Sequence, residues 1–140
     1  MISWSRNLLS ASTRSKSISS CDHRRVGICT FCDAISVCPG ENDGLRKSLN
    51  IVELAAKQNV ACSIGSNLEL DIASAAMCHL VLAHKNMQVE KFPGDIMGPI
   101  YHSVRIVTNP LQIDGPNITT SDRPGLGVDV NWSIVEKHSM

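Results

Sequence analysis

Hydrophobic and polar positions change their period three times between residues 33 and 83. Two short β-prone runs, at 33–38 and 60–64, are each followed by a stretch in which apolar residues recur every three or four positions, at 44–59 and 68–83. Short runs rich in β-branched residues indicate strands, and the three-to-four spacing indicates amphipathic helices. The order strand, helix, strand, helix predicts two βα units of a parallel α/β fold.

The boundaries of these elements have local signals. Pro39-Gly40 stops the first strand, and Asn59, a residue that tolerates the left-handed conformation, ends the first helix. Small residues such as Ala73 and Ala76 allow the second helix to lie close to a sheet.

Towards the C-terminus the pattern becomes less regular. A β pair is predicted at 104–107 and 111–113, joined by a turn at 108–110. The remaining assignments are a loop with one short strand around 93–99, an irregular segment at 116–127, a strand at 128–130 and a terminal helix near 132–137.

Composition and charge exclude several classes of protein. The chain has 140 residues, enough for one domain with a core, and its 13 basic and 13 acidic residues cancel, so no global charge attracts nucleic acid or an anionic membrane. The longest apolar runs are far shorter than the roughly 20 residues of a membrane helix. Six cysteines without a disulfide-like framework indicate a reducing compartment, and we expect a cytoplasmic protein.

Residues 1–32 differ from the rest of the chain, being rich in serine and poor in acids. We predict a leader at 1–32, unstructured or unrelated, and a single domain at 33–140; a transit peptide and a short packed helix at 4–9 are alternatives. The leader holds Cys21, His23 and a Cys-x-x-Cys pair at Cys29 and Cys32. One such pair is half of a structural zinc site, so a non-catalytic zinc-binding or interaction module is a second hypothesis beside coincidence.

The loops after the predicted strands carry the candidate chemistry, because parallel α/β folds place their sites there. After the second strand comes Gly65-Ser66-Asn67-Leu68-Glu69. Its carboxylate either points into a pocket at the strand end, or supports the first turn of a helix that Ser66 or Asn67 caps. The turn at 40–44 lacks the glycine pattern and the lysine of a phosphate-binding loop.

Four segments together resemble a known family, at 33–45, 62–69, 95–99 and 124–128. In order and spacing they are similar to successive landmarks of the C-terminal barrel domain of the enolase superfamily, in its mandelate racemase and muconate-lactonizing branch. The resemblance implies an α/β fold that is the C-terminal portion of a (β/α) TIM-type barrel, incomplete, with a β-hairpin in its C-terminal tail. A complete barrel needs about 250 residues and eight strands.

The resemblance also implies an activity. Members of the branch bind a small carboxylate substrate on Mg²⁺ and remove the proton alpha to the carboxylate, which leads to racemisation, cycloisomerisation or loss of a group. Their acidic metal ligands lie on the third to fifth strands and a Lys-x-Lys base on the second, whereas this chain resembles the family from about the sixth strand onwards. We therefore expect no metal ligands in this chain and no Mg²⁺ bound by it alone.

Four positions match functional positions of the family. Cys38 falls at the end of the sixth strand, where the muconate-lactonizing branch has a catalytic lysine and the racemase branch an aspartate. Its thiol would serve as acid or base if its pKa were lowered, and is otherwise an inert residue at the strand end. Glu69 matches the acid of the seventh-strand Gly-Ser-x-Leu-Glu pattern. Asn67, beside it, and Asp95, near the eighth strand, are candidate substrate contacts.

These observations predict a truncated family member that is inactive by itself and whose parent is a dehydratase, racemase or cycloisomerase. The alternative within the same family is a chain whose open sheet edges pair with a second copy, or with a separate chain that carries the missing strands.

Overall fold

A computed structural model describes residues 32–139 of the chain. The leader, with Cys21, His23 and Cys29, lies outside the described residues. The fold is α/β, and its elements are β1 (Ala34–Val37), α1 (Leu45–Lys57), β2 (Ala61–Ile64), α2 (Asp71–Ala83), α3 (Gly98–Tyr101), β3 (Gln112–Asp114), β4 (Asn117–Thr119) and α4 (Trp132–His138).

The two predicted βα units are confirmed. Strands β1 and β2 are parallel, with Ala34 opposite Ala61 and Val37 opposite Ile64. Helix α1 connects them, and Asn59 takes a positive φ of 56° just after its end, as its residue type predicts. All four residues of β2 are buried, which is typical of a parallel strand covered on both faces.

A third segment, which includes Met87 and Asp95, extends the sheet beyond β2. Met87 forms a parallel bridge with Cys62, and the backbone N–H of Asp95 donates to the Ile64 carbonyl at 3.0 Å. Gly94 makes this approach feasible, since a Cβ atom there would lie 2.1 Å from the Ile64 carbonyl oxygen. The carboxyl ends of β1 and β2 and the backbone at 94–95 therefore lie along one edge.

The start of α2 and the segment that follows it differ from the sequence prediction. The helix begins at Asp71 rather than at residue 68, because Leu68 has a φ of 60° and cannot join a right-handed helix. Residues 98–101, of which the first two were predicted within a loop, form the short helix α3, which has a proline in its first turn.

The predicted β pair at 104–107 and 111–113 is wrong. The antiparallel hairpin consists of β3 and β4, which turn at Gly115 with its positive φ of 53°. Val107 instead bridges Val130, in the segment predicted as a strand. Asn109 makes the long-range connection: it accepts from the Asp129 backbone N–H and donates to the Gly127 carbonyl. The terminal helix is confirmed as α4.

The core lies between the sheet and the helices. Its fully buried side chains include Val37, Val52, Ile64, Met77 and Ile96. Cys62 and Cys78 are buried free cysteines, so they pack as small apolar residues. Across residues 32–139, no helix combines the length and apolarity that crossing a membrane requires.

Candidate functional site

The ends of β1 and β2 bring Cys38 and the 65–70 loop together. Cys38 follows β1 directly, and Gly65 follows β2 and donates its N–H to the Val37 carbonyl at 3.0 Å. A Cβ atom at Gly65 would lie 2.6 Å from Cys38 Sγ and 2.5 Å from Ser36 Oγ. A glycine is therefore needed for the thiol to occupy the space between the two strand ends.

Glu69 enters the same space. Its Oε2 accepts the backbone N–H of Asn67 at 2.8 Å, and its Oε1 is buried without a hydrogen-bond partner among the described residues. Gly40, after β1, borders this oxygen, since a Cβ atom on it would lie 3.3 Å from Oε1. Of the two readings of this loop, the helix-capping one is wrong: α2 begins after Leu70 without a side-chain cap, and Glu69 lies at the strand ends.

Asn67 joins the two loops through its side chain. Its Nδ2 donates to Glu41 Oε1 at 3.0 Å, so the amide connects the loop after β2 to the loop after β1. Glu41 was not singled out from the sequence. The polar turn at 40–44 was the available signal, but nothing local showed that its first acid faces Asn67.

The thiol of Cys38 has a raised pKa. Burial is the main cause, and the negative charges of Glu41 and Glu69 add to it, against a lowering effect of the hydrogen bond with Ser36. The lowered pKa that an acid-base role requires is therefore not found, and near neutral pH the thiol is a protonated hydrogen-bond donor rather than a base.

Asp95 lies at the end of the third segment, along the same edge. Its Oδ1 accepts the Met97 backbone N–H at 2.8 Å, and its own N–H pairs with β2 as described above. This carboxylate therefore holds the turn that leads into α3, which itself begins without a side-chain cap. The structure places Cys38 and Glu69 together with Asn67, and Asp95 one strand further along.

Two further interactions support the 65–70 loop, and sequence patterns gave no signal for either. Arg105 forms a two-pronged ion pair with Asp71, the first residue of α2, whose side chain is fully buried. The Nε2 atom of His102 lies 2.7 Å from the Leu68 carbonyl oxygen. Both pairs join residues 34 positions apart in the chain.

The described residues do not fit a magnesium site. Among residues 32–139 there is no group of three or more histidine, cysteine, aspartate or glutamate side chains that could hold a metal ion. Of the four residues of the zinc hypothesis, only Cys32 lies within the described part of the chain.

Comparisons with known proteins point to one family. A family model described as enolase C-terminal domain-like matches residues 20–134. The matched range includes part of the predicted leader, whose boundary stays a prediction.

Two curated relatives extend this match. The chain is 33% identical over 135 residues to o-succinylbenzoate synthase of Bacillus subtilis, covering 95% of this chain and 35% of the relative. It is 27% identical over 104 residues to muconate cycloisomerase 1 of Rhodococcus opacus, covering 74% and 27%. The chain thus spans about a third or less of the length of these relatives.

Solved structures agree on the fold. The N-succinyl Arg/Lys racemase of Bacillus cereus superposes with a TM-score of 0.71 at 22% identity, over 79% of this chain and 28% of the racemase. Muconate lactonizing enzyme of Pseudomonas putida gives 0.71 at 20% identity, over 77% and 29%. At these identities the likeness shows the fold alone.

Proposed function

The chain belongs to the enolase C-terminal domain-like family, and from this premise we propose that it supplies three adjacent strand-end loops to a barrel active site that removes the proton alpha to a carboxylate. The relatives include a cycloisomerase, a synthase and a racemase. The substrate class is a small carboxylic acid, and the reaction is one of the proton abstractions of the mandelate racemase and muconate-lactonizing branch.

The observation that supports this proposal most is the state of the Glu69 carboxylate. One oxygen is held by the Asn67 N–H, while the other is buried and without a partner among residues 32–139. A carboxyl group fixed in this way can give a proton to, or take one from, a substrate group placed against the unpartnered oxygen.

The other site residues take supporting roles in the proposal. The protonated Cys38 thiol lies beside Glu69 and is available to donate to the substrate, and Asn67 and Asp95 contact the substrate along the same edge. Because the described residues offer no place for Mg²⁺, no step is assigned to a metal.

A chimera tests the proposed function. In it, this chain replaces the aligned third of the B. subtilis o-succinylbenzoate synthase, and the formation of o-succinylbenzoate is measured. Glu69→Gln should lower kcat/KM by about 10²–10⁴, the range for loss of a positioned acid or base. Glu53→Gln, at an exposed position of α1, is the matched control and should change little.

A second variant of the chimera provides a further test of the proposed function. Cys38→Lys restores the lysine that the family resemblance implies at that position, and it should raise the activity of the chimera. If a folded Cys38→Lys chimera has no activity, or if Glu69→Gln leaves its activity unchanged, the proposed function is wrong.

We also propose that β1 pairs with a strand of another copy of the chain. Within residues 32–139 its only strand partner is β2. Asp33 and Val37 accept from the β2 side, so the backbone groups of Ala34 and Ser36 face the open edge. Open edges of this kind invite association.

Light scattering on the eluting protein tests this pairing. The molar mass should exceed that of one chain, and Ser36→Pro should reduce it because proline has no N–H to donate. Ser36→Thr keeps the N–H and should leave the mass unchanged. A single-chain mass at every concentration contradicts the pairing.

A further inference from the structure

In the 65–70 loop, Leu68 has an unusual backbone conformation that needs an explanation. Its φ of 60° is one of three positive values among the described non-glycine residues, and the other two belong to Asp43 and Asn59. Aspartate and asparagine tolerate this conformation, whereas leucine does not. Because the Leu68 side chain is 45% exposed, burial does not account for the strain. Strain of this kind persists only where surrounding contacts impose it, and it often marks a functional site.

Contacts on both sides of Leu68 impose the conformation. Its N–H donates to Ser66 Oγ at 3.4 Å, and its carbonyl oxygen lies 2.7 Å from His102 Nε2. A carbonyl oxygen only accepts hydrogen bonds, so the His102 ring must donate its Nε2–H. The Leu68 carbonyl belongs to the peptide unit that leads into Glu69, and the histidine thus fixes the orientation of this unit.

The next peptide unit, between Glu69 and Leu70, is fixed by different contacts. Ser74 Oγ donates to the Glu69 carbonyl at 3.2 Å, and Gly98 packs so closely that a Cβ atom on it would lie 2.2 Å from the same oxygen. With the Glu69 carbonyl fixed, rotation of the Leu68–Glu69 peptide is one movement that would turn the Glu69 side chain away. His102 blocks this rotation.

We propose that His102 is a positioning residue: its ring N–H holds Leu68 in the left-handed conformation and thereby keeps the Glu69 carboxylate between the ends of β1 and β2. The consequence for catalysis rests on the proposed function, but the positioning itself does not. It can therefore be tested on the full chain without substrate.

The Cys38 thiol reports the position of Glu69. The negative charge of Glu69 contributes to the raised pKa of this thiol. When the carboxylate moves away, or becomes an amide in Glu69→Gln, the pKa of Cys38 should fall because the thiolate is repelled less. The rate of alkylation of Cys38 as a function of pH, resolved by peptide mass spectrometry, measures this pKa.

The test compares four variants of the full chain with the unmodified chain. His102→Leu removes the donor and should shift the alkylation midpoint of Cys38 downwards, towards the value of Glu69→Gln. His102→Gln keeps an N–H donor on a side chain of similar reach, and should restore the midpoint of the unmodified chain. His138→Leu is the matched control, since His138 is exposed and its ring lies within hydrogen-bond distance of the Ile134 carbonyl in the same turn of α4, far along the chain from Leu68, and it should have no effect.

A second measurement covers the case in which His102→Leu fails to fold. The Asn67 backbone N–H, which donates to Glu69 Oε2, should keep its protection against hydrogen exchange in His102→Gln and lose it in Glu69→Ala. The positioning role is refuted if His102→Leu folds with the alkylation profile of the unmodified chain, or if His102→Gln loses the protection. Neither result depends on turnover, so failure here is distinct from failure of the proposed function.

Discussion

Arg105→Met should lower the free energy of unfolding by about 3–5 kcal/mol, because it leaves the Asp71 carboxylate buried without its counter-ion. Asp71 is 0% exposed, and both of its oxygens accept from the Arg105 guanidinium. The guanidinium in turn has a raised pKa, mainly through its hydrogen bonds to Asp71. Since a whole domain is stable by only about 5–15 kcal/mol, this loss is a large fraction of the total stability. Denaturant titration followed by circular dichroism measures the change.

Substitution of the other partner, Asp71→Asn, should lower the free energy of unfolding less than Arg105→Met does, and this difference tests the explanation. Asp71→Asn leaves Arg105 charged, but the Arg105 side chain is 33% exposed and water can solvate it. The matched control is Arg123→Met, which removes a two-pronged pair with Asp129 whose side chains are both more than half exposed. We expect little change there, as for most surface ion pairs. Equal losses in Arg105→Met and Arg123→Met would contradict the role given to burial.

The first half of the fold could be predicted because its signals are local. The periods of β1, α1, β2 and α2 are carried by consecutive residues, and Asn59 marks a helix end by its own conformational preference. The start of α2 was placed too early because Leu68, a good helix former, takes the left-handed conformation. Contacts from residues 98 and 102 impose that conformation, and no local pattern encodes them.

Part of the C-terminal half, the β pair at 104–107 and 111–113, was misassigned for a related reason. Residues 104–107 are β-prone, but Val107 forms a single bridge with Val130 and does not form a hairpin with residues 111–113. Asn109, expected in a turn, connects instead to Gly127 and Asp129, about 20 residues away. Such pairings are set by tertiary packing, which overrides local propensity.

The candidate site also has some features that local sequence signals predict and others that depend on long-range contacts. Glu69 was a candidate because strand ends in parallel α/β folds are where chemistry is placed, and Cys38 was a candidate because of the family resemblance; their roles stay predictions. The direction of the Cys38 pKa shift was not predictable, since it depends on burial and on the charges of Glu41 and Glu69, which come from two different loops. His102 and Arg105 were missed because each acts on a residue 34 positions away.

Gly98→Ala should destabilise the protein by about 1–3 kcal/mol, the usual cost of overpacking a close contact. The added Cβ would lie 2.2 Å from the Glu69 carbonyl oxygen, 2.6 Å from the Leu68 carbonyl carbon and 2.7 Å from the Glu69 nitrogen. All three are backbone atoms and cannot rotate away, so α3 or the 65–70 loop must move. Thermal unfolding should show the loss, and the Asn67 N–H should exchange faster because its acceptor is on Glu69.

Gly40→Ala is the matched control for this effect. The same methyl group is added at the rim of the same site, but its nearest neighbour is Glu69 Oε1 at 3.3 Å, at the end of a side chain that can shift by a few tenths of an ångström. Stability should therefore change little in Gly40→Ala. If Gly98→Ala unfolds at the same temperature as Gly40→Ala, α3 is not packed against the 65–70 loop. The Glu69 carbonyl is then not fixed by α3, and the role proposed for His102, which depends on that contact, is contradicted as well.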